Sequence, residues 1–226
     1  MLFPMRLTTT LTIRVPSLPV ATAGFLILVL LITMVFRSLG VFLSPNQPTG
    51  RGALIIEGWV SREQFMQFIT LYKKGRYSLL LTTGGPYFLD CARDDIGYAD
   101  QVGKLLRDSG LAPGELVVIP VPAVRADRTR AAATAVTRWI ETEAAQLTSV
   151  DVGSEGPHAR RSWLVYRHAL EPRGLEIGII SSDPGYDVRK WWVSSEGVKA
   201  VSSEFAGWVW ETCCSGKEHS HPPEVH

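Results

Sequence analysis

His158, Arg160 and Arg161 crowd into one short segment, Asp151-Val-Gly-Ser-Glu-Gly-Pro-His-Ala-Arg-Arg-Ser162. An imidazole beside two guanidiniums suits an anion. Arginine holds phosphate or carboxylate through forked hydrogen bonds, and histidine exchanges protons near neutral pH. The spacing supports this. An apolar, β-prone run from Leu147 to Val152 leads into a Gly/Ser turn, then to Pro157 and an apolar-periodic run ending at Leu170. Proline suits the first helical position, where its missing N–H costs nothing. The pattern reads as strand, tight turn, helix, with all three side chains in the first helical turn. Free N–H groups and the helix dipole favour negative charge there. The competing reading is two solvated arginines and a polar cap.

Other candidates fall just after apolar runs. Glu57 follows Ala53-Leu-Ile-Ile56 and could act as a general base or orient a ligand. Gly84-Gly85 follows Ser78–Thr83 and would let backbone N–H groups approach an anion. Asp127 and Thr129 open a helix after Leu116-Val-Val-Ile119; Asp127 reads equally as a helix cap. Ligands of open parallel sheets bind outside the carboxyl ends of the strands, where all these residues would gather. His158 and Glu57 are therefore the candidate catalytic groups. Gly84, Gly85, Asp127, Thr129, Arg160 and Arg161 are the candidate ligand-binding groups.

Several chemistries lose support. There is no G-x-G-x-x-G, no P-loop sequence and no G-x-S-x-G elbow. Cys91, Cys213 and Cys214 contain no C-x-x-C pair, so no metal site is expected, and a link from Cys91 to either partner stays open. With 23 basic and 22 acidic residues and no basic stripe, the chain gives no electrostatic case for nucleic acid.

The elements that position these residues follow from hydropathy. Val15 to Phe36 carries no charge, and its core from Ala23 to Phe36 is apolar all round. About 20 such residues cross a bilayer. No Ala-x-Ala cleavage site follows, which favours a retained anchor. Arg6 and Arg14 precede the span, and Arg37 and Arg51 follow it. The amino terminus is thus expected in the cytoplasm, with the main domain outside an inner or plasma membrane. The expected organisation is a flank (1–14), a membrane anchor (15–43), a turn-rich linker (44–52), an α/β domain (53–212) and a disordered polar tail (213–226). Within the domain, short apolar runs at 53–56, 78–83, 116–119, 147–152 and 175–180 alternate with helical patterns at 61–74, 96–109, 129–145, 157–170 and 194–212. Continuously apolar strands alternating with helices predict a Rossmann-like, three-layer α/β domain with a parallel sheet of about five strands.

This order of signals resembles the YdcF/SanA/ElyC family of bacterial envelope-associated proteins, over roughly residues 53–183. Leu54-Ile-Ile-Glu-Gly58 sits where that family has its first strand and glycine turn. Thr83-Gly84-Gly85 resembles its Ser-Gly-Gly, and Thr129 its Asn-Thr segment. His158-Ala-Arg-Arg161-Ser162 resembles its His-x-x-Arg-Ala. The sequence departs from the family pattern at Tyr98-Ala99, Arg128 and Ala131-Ala132. The resemblance implies a Rossmann-like domain, a role in envelope integrity and a nucleotide-like or lipid-linked phosphate ligand. It also implies S-adenosylmethionine as a candidate cofactor.

Together these readings predict a membrane-anchored domain that binds an anionic, phosphorylated ligand. The alternative is a non-catalytic scaffold for envelope proteins, using an aromatic surface drawn from Trp139, Trp163, Trp191, Trp192, Trp208 and Trp210.

Overall fold

The computed structural model describes residues 17–75, 77–84, 107, 110–111, 115–122, 124 and 126–214. The chain divides into two compact units after Arg37. Helix α1 runs from Leu18 to Leu43 and is long and apolar enough to cross a membrane. Its last turns lie in the second unit, where Leu43 is buried.

The second unit is a five-stranded parallel sheet with helices on both faces. The strands are β1 (Gly52–Glu57), β2 (Tyr77–Gly84), β3 (Leu116–Pro120), β4 (Ser149–Glu155) and β5 (Glu176–Ser182), in the order β3-β2-β1-β4-β5. The helices are α2 (Arg62–Lys74), α3 (Arg128–Glu143), α4 (Ala159–Leu170) and α5 (Ser195–Cys213). Expected and observed elements agree in order and type, apart from the helix expected at 96–109, which lies almost wholly outside the described residues. So do Gly85, Cys91 and the tail beyond Cys214. Among the described residues, neither Cys213 nor Cys214 has a disulfide partner.

Side chains alternate across each strand, and here both faces are apolar. Ala53 and Ile55 of β1 pack with Ala133, Val136 and Ile140 of α3 and Val165, Tyr166 and Leu170 of α4. Leu54 and Ile56 face the other way, against Phe65, Phe68, Ile69 and Tyr72 of α2. This double burial makes the strands read as unbroken apolar runs. Helix α2 begins with a complete capping box between Ser61 and Gln64.

The fourth strand corrects the sequence reading. Gly153 and Ser154 belong to β4, not to a turn. Gly153 pairs with Ile56 on one side and Ile180 on the other, so two neighbouring ladders extend the strand through the small residues. A β-carbon at Gly153 would lie 2.7 Å from the Phe68 ring, which is why a glycine stands inside the strand. The turn comes later, as a short 3₁₀ segment from Gly156 to His158.

Residues 44–52 are anchored to the domain. Gln47 exchanges two backbone hydrogen bonds with Ile179 of edge strand β5. The fully buried Asp151 carboxylate accepts the Thr49 N–H at 2.8 Å, the Gly50 N–H at 2.9 Å and the Tyr77 hydroxyl. Burial first, then the Asp151 carboxylate, pushes the Tyr77 phenol far up.

Candidate functional site

The sequence order 1, 2, 3 builds the sheet outward from β1 on one side; β4 and β5 extend it on the other. The chain therefore reverses direction at the gap between the carboxyl ends of β1 and β4. Open α/β sheets hold ligands at such switch points. Glu57 ends β1, and His158 follows β4 by three residues.

Strand alternation decides which side of the sheet is used. Glu57 continues the Ala53, Ile55 series and so faces α4. Ser154 continues the Val150, Val152 series onto the same side. There Ser162, one turn into α4, approaches both Glu57 oxygens at 3.0 Å. Ser154 Oγ lies 3.3 Å from Ser162 Oγ. A serine hydroxyl has one proton to give, so a chain from Ser154 to Ser162 to Glu57 satisfies all three groups. Glu57 is only 2% exposed, and this network accounts for its presence at the end of an apolar strand.

His158 stands above the network. Its Nδ1 lies 3.0 Å from Glu204 Oε1, and its Nε2 lies 3.8 Å from Glu57 Oε2 and 3.5 Å from Thr129 Oγ1. Arg161 Nη2 also comes within 2.9 Å of Nδ1. The carboxylate is the stronger partner for a ring N–H, which puts the proton of the neutral imidazole on Nδ1 and the free lone pair on Nε2. The Trp59 indole meets the ring edge-on, with centroids 4.6 Å apart, and limits its rotation.

Glu204 also accepts Arg161 Nε at 2.9 Å and Nη2 at 3.2 Å. Burial alone would raise its carboxyl; hydrogen bonds from His158 and Arg161, and their charges, outweigh burial and hold it at about 2. Burial likewise opposes the Arg161 charge, and Glu204, with help from Glu57 and Glu211, raises Arg161 above the ordinary arginine value. A second fork links Arg130 of α3 to Glu211 of α5 at 2.8 and 3.0 Å. Beneath the site, burial first and the Glu57 charge second raise the fully buried Tyr166 phenol.

The structure thus brings together Glu57, Thr129, His158 and Arg161. Arg160 is a correction: it points away, donating to the Phe42 carbonyl at 2.6 Å with its guanidinium over the Phe42 ring. Asp127 occupies the N-cap position in a left-handed conformation (φ 56°), but its side chain makes no capping hydrogen bond, which corrects the cap reading and leaves its carboxylate exposed at the start of α3. The main-chain N–H groups of the first turn of α3 are therefore uncapped by it, beside Thr129 and the exposed Arg128. Gly84 ends β2, its carbonyl accepting the Val121 N–H at 2.9 Å. Trp191 is buried against Leu43 and Val201, so it serves packing.

Sequence reasoning gave no role to Glu204, Glu211, Ser162 or Trp59. One signal was present. Glu204 and Glu211 stand seven residues apart on the face of α5 that also carries Ala200, next to Val201 and Trp208. Acids on or beside the apolar face of a helix call for buried partners.

No protein-family profile matches the chain, and no curated protein matches it. Among solved structures, it is similar to a pantothenate synthetase from Thermus thermophilus, at 15% identity and a TM-score of 0.35, over 74% of this chain and 71% of that one.

Proposed function

We propose that this chain is a membrane-anchored α/β domain of the YdcF/SanA/ElyC-like type, which binds an anionic, phosphorylated ligand at the carboxyl edge of its sheet. The observation that carries this reading is His158. Glu204 holds its Nδ1, and Nε2 is directed toward Thr129 and Glu57 at the switch point.

Arg161 and Arg130 are already neutralised by Glu204 and Glu211, so they brace the site. The phosphate is met by the Thr129 hydroxyl, the first-turn N–H groups of α3 and Arg128, and by His158 Nε2 once it carries a proton. Glu57 would repel a phosphate, and at 2% exposure it stays behind His158, where its charge favours a proton on Nε2. His158 then donates a proton to a phosphate oxygen or withdraws one from a ligand hydroxyl. Nucleotide-like and lipid-linked phosphates both fit this division of polar groups, and a tethered domain suits the lipid-linked class. The expected setting is cell-envelope biogenesis or integrity, with the domain outside the membrane.

A thermal-shift panel of inorganic phosphate, nucleoside monophosphates, S-adenosylmethionine and short polyprenyl phosphates tests the reading. A ligand that binds only the folded state raises the midpoint by mass action, by about 2.7 kcal/mol of stability at a hundredfold excess over Kd. A shift with a phosphorylated compound, lost in Thr129→Val, supports the site. No shift with any of them refutes it.

A further inference from the structure

Helix α5 has two uses for its surface. One side carries Glu204 and Glu211 into the site. Next to it, Val201 and Trp208 pack on the end of α1, with Trp208 edge-on to Phe42 at 5.0 Å between ring centroids. Further round, Val198, Phe205 and Val209 follow the i, i+7, i+11 spacing of a single stripe, and each is between 37% and 42% exposed. Among the described residues, the second unit leaves this stripe open, although it adjoins a packed one. Phe205 stacks on Trp208 at 6.1 Å, so the exposed stripe is continuous with the contact to Phe42.

Chain connectivity limits what can cover it. Phe42 lies five residues beyond Arg37, the first charge after the apolar span. At about 1.5 Å per residue in a helix, that is under about 10 Å, within the thickness of a headgroup region. We infer that α5 is an interfacial helix, which lays Val198, Phe205 and Val209 into the headgroup boundary of the bilayer entered by α1. Aromatic and aliphatic side chains at that depth bury apolar surface while polar neighbours stay wet. The same helix supplies the carboxylate that holds His158, so the site sits within a helix diameter of the lipid surface. This inference rests on the membrane-anchor reading, and it names the substrate class for the site: a phosphate on a lipid embedded in the same membrane.

Depth-dependent quenching on the full chain tests it. Cys91, Cys213 and Cys214 are replaced by serine, and one environment-sensitive fluorophore is attached at Leu28→Cys, Ser202→Cys or Ser203→Cys. Each protein is reconstituted in vesicles of equal parts phosphatidylcholine and phosphatidylglycerol, containing a shallow spin-labelled lipid for positions 202 and 203 and a deep, mid-chain spin-labelled lipid for position 28. Ser202 borders the stripe and Ser203 faces away from it. The expected result is quenching at 28 and 202, at least about twofold stronger at 202 than at 203, and reduced at 202 by Phe205→Glu. Quenching at 28 with equal values at 202 and 203 overturns the inference and leaves the anchor standing. No quenching at 28 overturns both.

Discussion

Replacing Glu204 with glutamine removes one charge from a position where two groups, His158 and Arg161, depend on it. The Glu204 carboxyl is held at about 2, against an ordinary value of 4.5. A difference of roughly 2.5 is worth about 3–4 kcal/mol, at about 1.4 kcal/mol for each pH unit. Glutamine keeps the shape but leaves the Arg161 charge, 28% exposed, without its counter-ion. Breaking a fully buried pair costs about 3–5 kcal/mol, so a partly exposed one costs about 2–3 kcal/mol. The sign with pH follows from the depressed folded value. The stabilisation is complete above about 4.5 and disappears as pH falls toward about 2. Urea unfolding of the full chain in detergent, followed by tryptophan fluorescence, measures it directly. Wild type should exceed Glu204→Gln by about 2–3 kcal/mol at pH 7 and at pH 5, and the gap should close between pH 4.5 and 2. A gap below about 0.5 kcal/mol at neutral pH, or one that persists unchanged to pH 2, would refute the assignment of Glu204 as the brace of His158 and Arg161.

Other consequences are open to simpler measurements. Asp151→Asn puts an amide where three donors converge and should cost about 2–4 kcal/mol; hydrogen exchange at the Gln47 and Thr49 amides should accelerate, and unchanged protection would show that the strap holds without the carboxylate. Gly153→Ala overpacks the Phe68 ring and should lower stability by about 1–3 kcal/mol in the same urea assay. The Tyr77 and Tyr166 phenols, both pushed up by burial, stabilise the fold only while protonated. In an absorbance titration of the six tyrosines, these two should ionise only as the protein unfolds, above about pH 10. Ionisation before unfolding would contradict their burial.

The fold was legible because the strands are apolar on both faces and separated by amphipathic helices. Glu57 was readable as the end of β1, and the fold sets it beside His158 at the switch point. Pairing was not readable. Gly153-Ser154 looks like a turn until β1 and β5 are placed beside it, and Arg160 looks like a twin of Arg161 until the turn of α4 separates them by about 100°. Glu204 lies 46 positions past His158, and only the packing of α5 across α4 shows that the two meet. Charge at the site was misjudged for the same reason. Two arginines counted from the sequence suggest a bare cationic pocket, whereas the fold spends Arg161 on Glu204 and Arg160 on the Phe42 carbonyl.

The most direct test titrates a short polyprenyl phosphate and a nucleoside monophosphate, by calorimetry, into wild type, His158→Gln and Arg160→Lys. If the switch-point crevice is the ligand site, one of the two phosphates binds wild type and Arg160→Lys alike and binds His158→Gln at least about tenfold more weakly, a loss of about 1.4 kcal/mol. Equal affinity in wild type and His158→Gln would contradict a ligand site built on His158.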